Sequence, residues 1–164
     1  MLLAAALLLM GVKVSTDYSH NVSFDKYKTY SWLDVKADPL WTDRVRDAVD
    51  KELTAKGWEK APSGGDASVA AFASRKTQPR IETFYTGFGG GWYWRGFDDG
   101  MATTTVENVP IGTLVVDIFD TPTKKLIWRG VATEALSDKP EKNEKKLEKA
   151  VEDMFKHFPP KSKG

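Results

Sequence analysis

The sequence predicts an α+β domain: a single antiparallel or mixed β-sheet of about six to eight strands, with two helices packed on one face. Three features point there. Residues 39–53 and 140–158 place apolar side chains at intervals of three and four, the spacing of an amphipathic helix. Several short runs between them are rich in β-branched and aromatic residues. Two of these runs, 113–120 and 126–135, flank Thr121-Pro122-Thr123-Lys124-Lys125, a turn in which proline presets one φ.

In that hairpin a five-residue loop sets Ile118 opposite Trp128, Val115 opposite Val131 and Asp117 opposite Arg129. Leu114, Val116, Ile118, Trp128 and Ala132 then line one side, and Val115, Phe119, Ile127 and Val131 the other. Neither side is polar, so both strands belong inside the sheet. Asp117 and Arg129 form a structural pair within an apolar row, where a charge pair fixes register.

The other elements follow in order. Residues 1–10 are uninterruptedly apolar, too short to span a bilayer but matched to the core of a signal sequence. A buried N-terminal helix or strand is the alternative. Met10-Gly11 is followed by Val12 where a lipoprotein would carry its acylated cysteine, so a lipid anchor is not supported, although membrane contact stays open. Residues 12–18 alternate like a half-buried strand, and residues 29–33 form a second. Asp38 is suited to cap a helix that begins at Pro39. Trp41, Val45, Ala48, Val49 and Leu53 form its apolar face, with Arg44, Arg46, Asp50 and Lys51 on the polar one, and Gly57 ends it. Trp58 turns back over the helix end, and residues 61–65 form a loop. The small-residue strand 67–74 lets a helix approach closely. A Thr-rich strand is expected over 102–109. Asp138 and Glu141 have the spacing of a capping box for the last helix, which Pro159-Pro160 stops.

A chain of 164 residues supports one core, and the expected layout is a signal-like segment over 1–11, one domain over 12–160 and a disordered tail over 161–164. A net charge of +1 supplies no general attraction for nucleic acid. The absence of cysteine excludes disulfides and thiolate chemistry. No cofactor or metal site is indicated, and the two histidines, His20 and His157, stand in a polar turn and near a helix end. Asp98-Asp99-Gly100 reads as a solvated turn, so no catalytic constellation emerges and a non-enzymatic role is expected.

One stretch stands apart. Phe84, Tyr85, Phe88, Trp92, Tyr93, Trp94, Arg95 and Phe97 are interleaved with five glycines. These residues are the candidate interaction surface, facing a protein partner, a lipid headgroup layer or a stacked sugar ring. The alternative is structural, a loose hairpin whose rings cover a sheet face.

Taken together, Val12-Lys13-Val14-Ser15-Thr16-Asp17-Tyr18, the run from Phe24 to Leu33 (FDKYKTYSWL), the hairpin from Gly112 to Ala132 and the closing Lys156-His157-Phe158-Pro159-Pro160 resemble the domain of unknown function 4136 family. The resemblance implies an exported protein of a Gram-negative envelope, in the periplasm or at the periphery of the outer membrane, and brings no catalytic residue with it. The partner it leaves open is an envelope protein or, alternatively, a glycan bound or processed through residues 84–97.

Overall fold

The computed structural model describes residues 12–75 and 111–161. They form one six-stranded mixed sheet and two helices, the α+β architecture expected from sequence. In chain order the elements are β1 (Lys13–Tyr18), β2 (Thr29–Lys36), α1 (Pro39–Ala55), β3 (Glu59–Lys60), β4 (Ala67–Arg75), β5 (Ile111–Asp120), β6 (Leu126–Ala135) and α2 (Pro140–Phe155). A 3-10 turn at Phe24–Lys26 precedes β2. Across the sheet the order is β1-β6-β5-β4-β2-β3. The β1, β6, β5 and β4 neighbours run antiparallel, whereas β2 is parallel to both β4 and β3. A parallel neighbour needs a crossover, and α1 supplies it between β2 and β4. The expected strand over 102–109 lies outside the described residues.

The hairpin keeps its expected register, with Val115 opposite Val131, Asp117 opposite Arg129 and Ile118 opposite Trp128. One residue later it slips, and Phe119 pairs with Leu126. The extra residue in β6 makes a bulge that carries Ile127 into the same buried cluster as Trp128, instead of onto the face of Val115 and Phe119. A bulge beside a turn has no signature in an alternating pattern, because both neighbours here are apolar.

Both helices cover one face. Alternate β4 residues Ala67, Val69 and Ala71 join Leu114, Val116 and Ile118 of β5 under Val45, Val49 and Leu53 of α1 and Val151, Met154 and Phe155 of α2. Small side chains allow the close approach: a Cβ on Gly130 would collide with Met154 and come within 2.7 Å of the Trp128 ring. At Gly65 the obstacle is backbone, with Tyr30 carbonyl carbon 2.5 Å and Ser31 nitrogen 2.7 Å from where a Cβ would stand. The loop before β4 therefore packs directly on β2.

The helix ends differ in how well sequence foretells them. Asp38 caps α1 as expected, its Oδ1 accepting from the Leu40 N–H at 2.9 Å, with Pro39 in the first turn. Gly57 follows α1 with φ +89°, a conformation glycine adopts without a side-chain clash. For α2 the cap position belongs to Lys139, not Asp138. Buried Asn143 takes over: its side chain accepts from Ser137 N–H at 2.7 Å and donates to Ser137 C=O at 2.8 Å. A capping box puts its acceptor before the helix, whereas here the amide reaches back from the first turn.

Phe158, three residues past α2, closes the core. Its ring centroid lies 5.9 Å from that of Phe24, 5.2 Å from Trp58, 5.3 Å from Trp128 and 5.2 Å from Phe155. Offset and edge-on ring pairs at these distances add to the apolar area they bury. Trp128→Ala should lower unfolding free energy by about 3–5 kcal/mol, the range for truncating a large buried aromatic. A urea midpoint equal to the parent's would contradict its place at the centre of this cluster.

Candidate functional site

The interaction-surface residues Phe84, Tyr85, Phe88, Trp92, Tyr93, Trp94, Arg95 and Phe97 lie outside the described residues. The strands on either side place the ends of that stretch. Arg75 of β4 pairs with Gly112 of β5, so the chain leaves and re-enters the sheet at neighbouring points of one end. His20 and His157 are both exposed, and the His20 ring rests 4.4 Å from that of Tyr18. Among the described residues no three histidine or carboxylate side chains converge as metal ligands, and no helix is long and apolar enough to cross a membrane.

Asp117 and Arg129 meet as the register requires. Arg129 Nε donates to Asp117 Oδ1 at 2.5 Å and Nη2 to Oδ2 at 2.6 Å, a two-point contact with both side chains buried. They sit on the sheet face away from the helices, in a row with Ala70 of β4 and Asp17 of β1. Burial pushes the Asp117 carboxyl upward, against the pull of the guanidinium. A buried pair of this kind fixes register more than it adds stability.

Three further aspartates form anchors that periodicity does not distinguish from surface charges. Asp50, expected on the solvent face of α1, accepts at Oδ1 from the Tyr30 hydroxyl at 2.7 Å and the Trp32 indole N–H at 2.8 Å. Its Oδ2 accepts from Lys60 Nζ at 2.7 Å, so one carboxylate joins α1, β2 and β3. Burial, and then the bond to Asp50, keep the Tyr30 hydroxyl protonated far above its ordinary range. Asp66 accepts from the N–H groups of Lys28 at 2.9 Å and Thr29 at 3.1 Å, which hold its carboxyl below the usual value. Burial raises the Asp120 carboxyl, but bonds from Thr123 and from Tyr27 at 2.8 Å outweigh it, and the net shift is downward. Only the alternation of polar residues with aromatic donors such as Tyr27, Tyr30 and Trp32 hints at these bonds.

The described residues also enclose a concave site. A cavity of about 130 Å³ opens between α1, α2 and the same end of the sheet where β4 stops and β5 starts. Its walls are largely apolar, from Trp41, Val45, Leu114, Ala132, Leu136 and Leu147. Polar groups at its lining include Asp38, Arg75, Asn143, Glu134 and Lys146. Lys146 Nζ donates to Ala135 C=O at 2.6 Å and stands 3.9 Å from Glu134 Oε1. Among the described residues Glu134 Oε2 has no hydrogen-bond partner. Burial raises the Glu134 carboxyl despite Lys146. Sequence reasoning did not find this site, because its residues are spread over five elements at unrelated spacings.

Two outcomes follow from these carboxylates. Asp117→Asn leaves a buried guanidinium beside a neutral amide and should cost about 3–5 kcal/mol, read from urea unfolding. An unchanged midpoint would show that the pair is dispensable. Because the folded state holds Asp66 and Asp120 below the ordinary aspartate value of about 3.9, their contribution is complete above that pH and is lost as pH falls through the lower folded values. The midpoint should therefore fall in acid below about pH 4, and less steeply in Asp66→Asn, which keeps an acceptor but not the titrating group. Parallel acid profiles for parent and variant would contradict this.

Among solved structures, the fold is similar to that of a PDZ domain protein from Parabacteroides distasonis, at 15% identity and a TM-score of 0.59. That match covers 94% of this chain but 37% of the other, so this chain spans little more than a third of that protein. It is also similar to a PelC dodecamer from Paraburkholderia phytofirmans, at 10% identity and a TM-score of 0.52, covering 88% of this chain and 94% of that one. At such identities the likeness is one of fold alone. No curated protein matches the chain in sequence. The profile of one family, described as a domain of unknown function, matches residues 14–160, and the chain belongs to that family, DUF4136.

Proposed function

We propose that this domain is a non-enzymatic interaction module of the bacterial cell envelope, exported through its apolar leading segment and engaging an envelope protein through the aromatic stretch at residues 84–97. The observation that carries the reading is the pairing of Arg75 with Gly112. Between two strands that are neighbours in the described sheet, the sequence carries a segment rich in Trp, Tyr, Phe and Gly. Rigid scaffolds present binding residues on such connections, and aromatic rings supply large contact area with few torsions to immobilise. The second reading is glycan binding, favoured by the same rings, since a flat aromatic face stacks on a sugar.

The test uses the full chain with Trp92, Tyr93 and Trp94 all changed to Ser. Parent and variant should share a urea midpoint, while cross-linking to proteins in envelope membranes is lost in the variant. Capture of peptidoglycan fragments by the parent and not the variant would favour the glycan reading instead. A large drop in midpoint, several kcal/mol for several hundred Å² of apolar area at about 25 cal/mol per Å², would make the rings structural and overturn both.

A further inference from the structure

We propose that the outer edge of β1 joins a second copy of the chain through an antiparallel β1 to β1 pairing, with Lys13 of each copy opposite Asp17 of the other, so that the two sheets become one. The edge itself is the first observation. Among the described residues β1 is paired on one side alone, with β6, and its register runs from Lys13 opposite Thr133 to Tyr18 opposite Trp128 without a shift. The other edge of the sheet is β3, of two residues. By contrast β1 has six, with neither proline nor glycine, and Lys13, Ser15, Thr16 and Asp17 are exposed. Edges kept apart from other strands are commonly short, bulged or closed by proline, and β1 is none of these.

The free backbone groups can be named. Ser19 N–H donates to Ile127 C=O at 2.8 Å, so in this ladder the odd-numbered residues of β1 are the ones bonded to β6. Val14 and Thr16 therefore turn their N–H and C=O groups outward. Tyr18 does the same, and its N–H donates to Asp17 Oδ1 at 2.8 Å, which places the Asp17 carboxylate at the open edge. The charges then choose the register. Lys13, Ser15 and Asp17 share the sheet face turned away from the helices, with Lys13 and Asp17 evenly spaced on either side of Ser15. A second β1 turned end for end about Ser15 sets each Lys13 against the other copy's Asp17, Ser15 against Ser15 and Val14 against Thr16. The outward groups of Val14 and Thr16 bond to one another, about four backbone hydrogen bonds in all. Both charge pairs fall at non-hydrogen-bonded positions, where facing side chains come closest. A slip of two residues keeps a ladder but parts both charge pairs. A second copy carries the matching spacing by symmetry, which a foreign strand must supply anew. The inference does not depend on residues 84–97.

The experiment follows sedimentation of the full chain over a concentration series, for the parent, Lys13→Asp, Asp17→Lys and the double variant. The parent should pass from monomer to dimer as concentration rises toward millimolar. Each single variant sets like charges opposite each other and should associate at least about ten-fold more weakly, whereas the double variant restores both pairs and should regain the parent's affinity. Ser15→Cys, in a chain without native cysteine, should oxidise to a linked dimer at least about ten-fold faster than the exposed control Ser63→Cys, because Cα atoms about 4.5 Å apart at that position are within disulfide reach. A parent that stays monomeric at millimolar concentration would overturn the proposal and leave the edge to a foreign strand. Equal association of parent and single variants, as contact through residues 1–10 would give, a double variant no tighter than the single ones, or equal oxidation of the two cysteine variants would each overturn it as well.

Discussion

The ring of Phe158 carries the architecture, because it is where parts of the chain remote in sequence are obliged to meet. It touches Phe24 from the turn before β2, Trp58 from the end of α1, Trp128 from β6 and Phe155 from α2. No one of these elements can bury its own aromatic alone. The α1 helix needs the sheet, the sheet needs α2, and α2 is held at its C-terminal end by the residue that follows it. Stability is then cooperative in a specific sense: loosening any member exposes apolar surface on several elements at once.

Around that apolar centre, carboxylates do the orienting. Asp50 joins α1 to β2 and β3, Asp66 fastens the loop before β4 to the start of β2, and Asp120 links the hairpin to Tyr27. Each accepts more than one hydrogen bond, and most of the donors belong to other elements. Packing alone does not choose among nearby sheet registers when strands are apolar on both faces, as β5 and β6 are. Directional bonds, and the Arg129 contact to Asp117 above all, make that choice.

Where pattern and physics coincide, the sequence was sufficient. Alternation placed β1, a run of small residues placed β4, the interval of three and four residues placed both helices, and turn length gave the pairings of Asp117 with Arg129 and Ile118 with Trp128. The misses have a common origin in interactions without a period. The bulge at Ile127 adds one residue between two apolar neighbours, and Asn143 replaces Asp138 as the group that satisfies the start of α2. Asp50 reads as a surface charge until Tyr30 and Trp32 are seen to point at it. The cavity was illegible for the same reason, since Trp41, Leu114, Glu134 and Leu147 converge only once the sheet order is known. The residues singled out for recognition, Phe84 to Phe97, were chosen on composition, and their placement is outside the described part of the chain.

The pairing of Arg75 with Gly112 also bears on how such a domain can change over time. The span between them has its two ends already held side by side by the β4–β5 ladder, so the distance between those ends is set by the sheet and not by the length of chain that joins them. Insertions, deletions and wholesale replacement between these two residues thus leave that distance as it is, while a single added residue within β5 or β6 would reverse the faces of everything beyond it. Arg75 and Gly112 also line the cavity, so the two ends of that span are fixed beside its mouth.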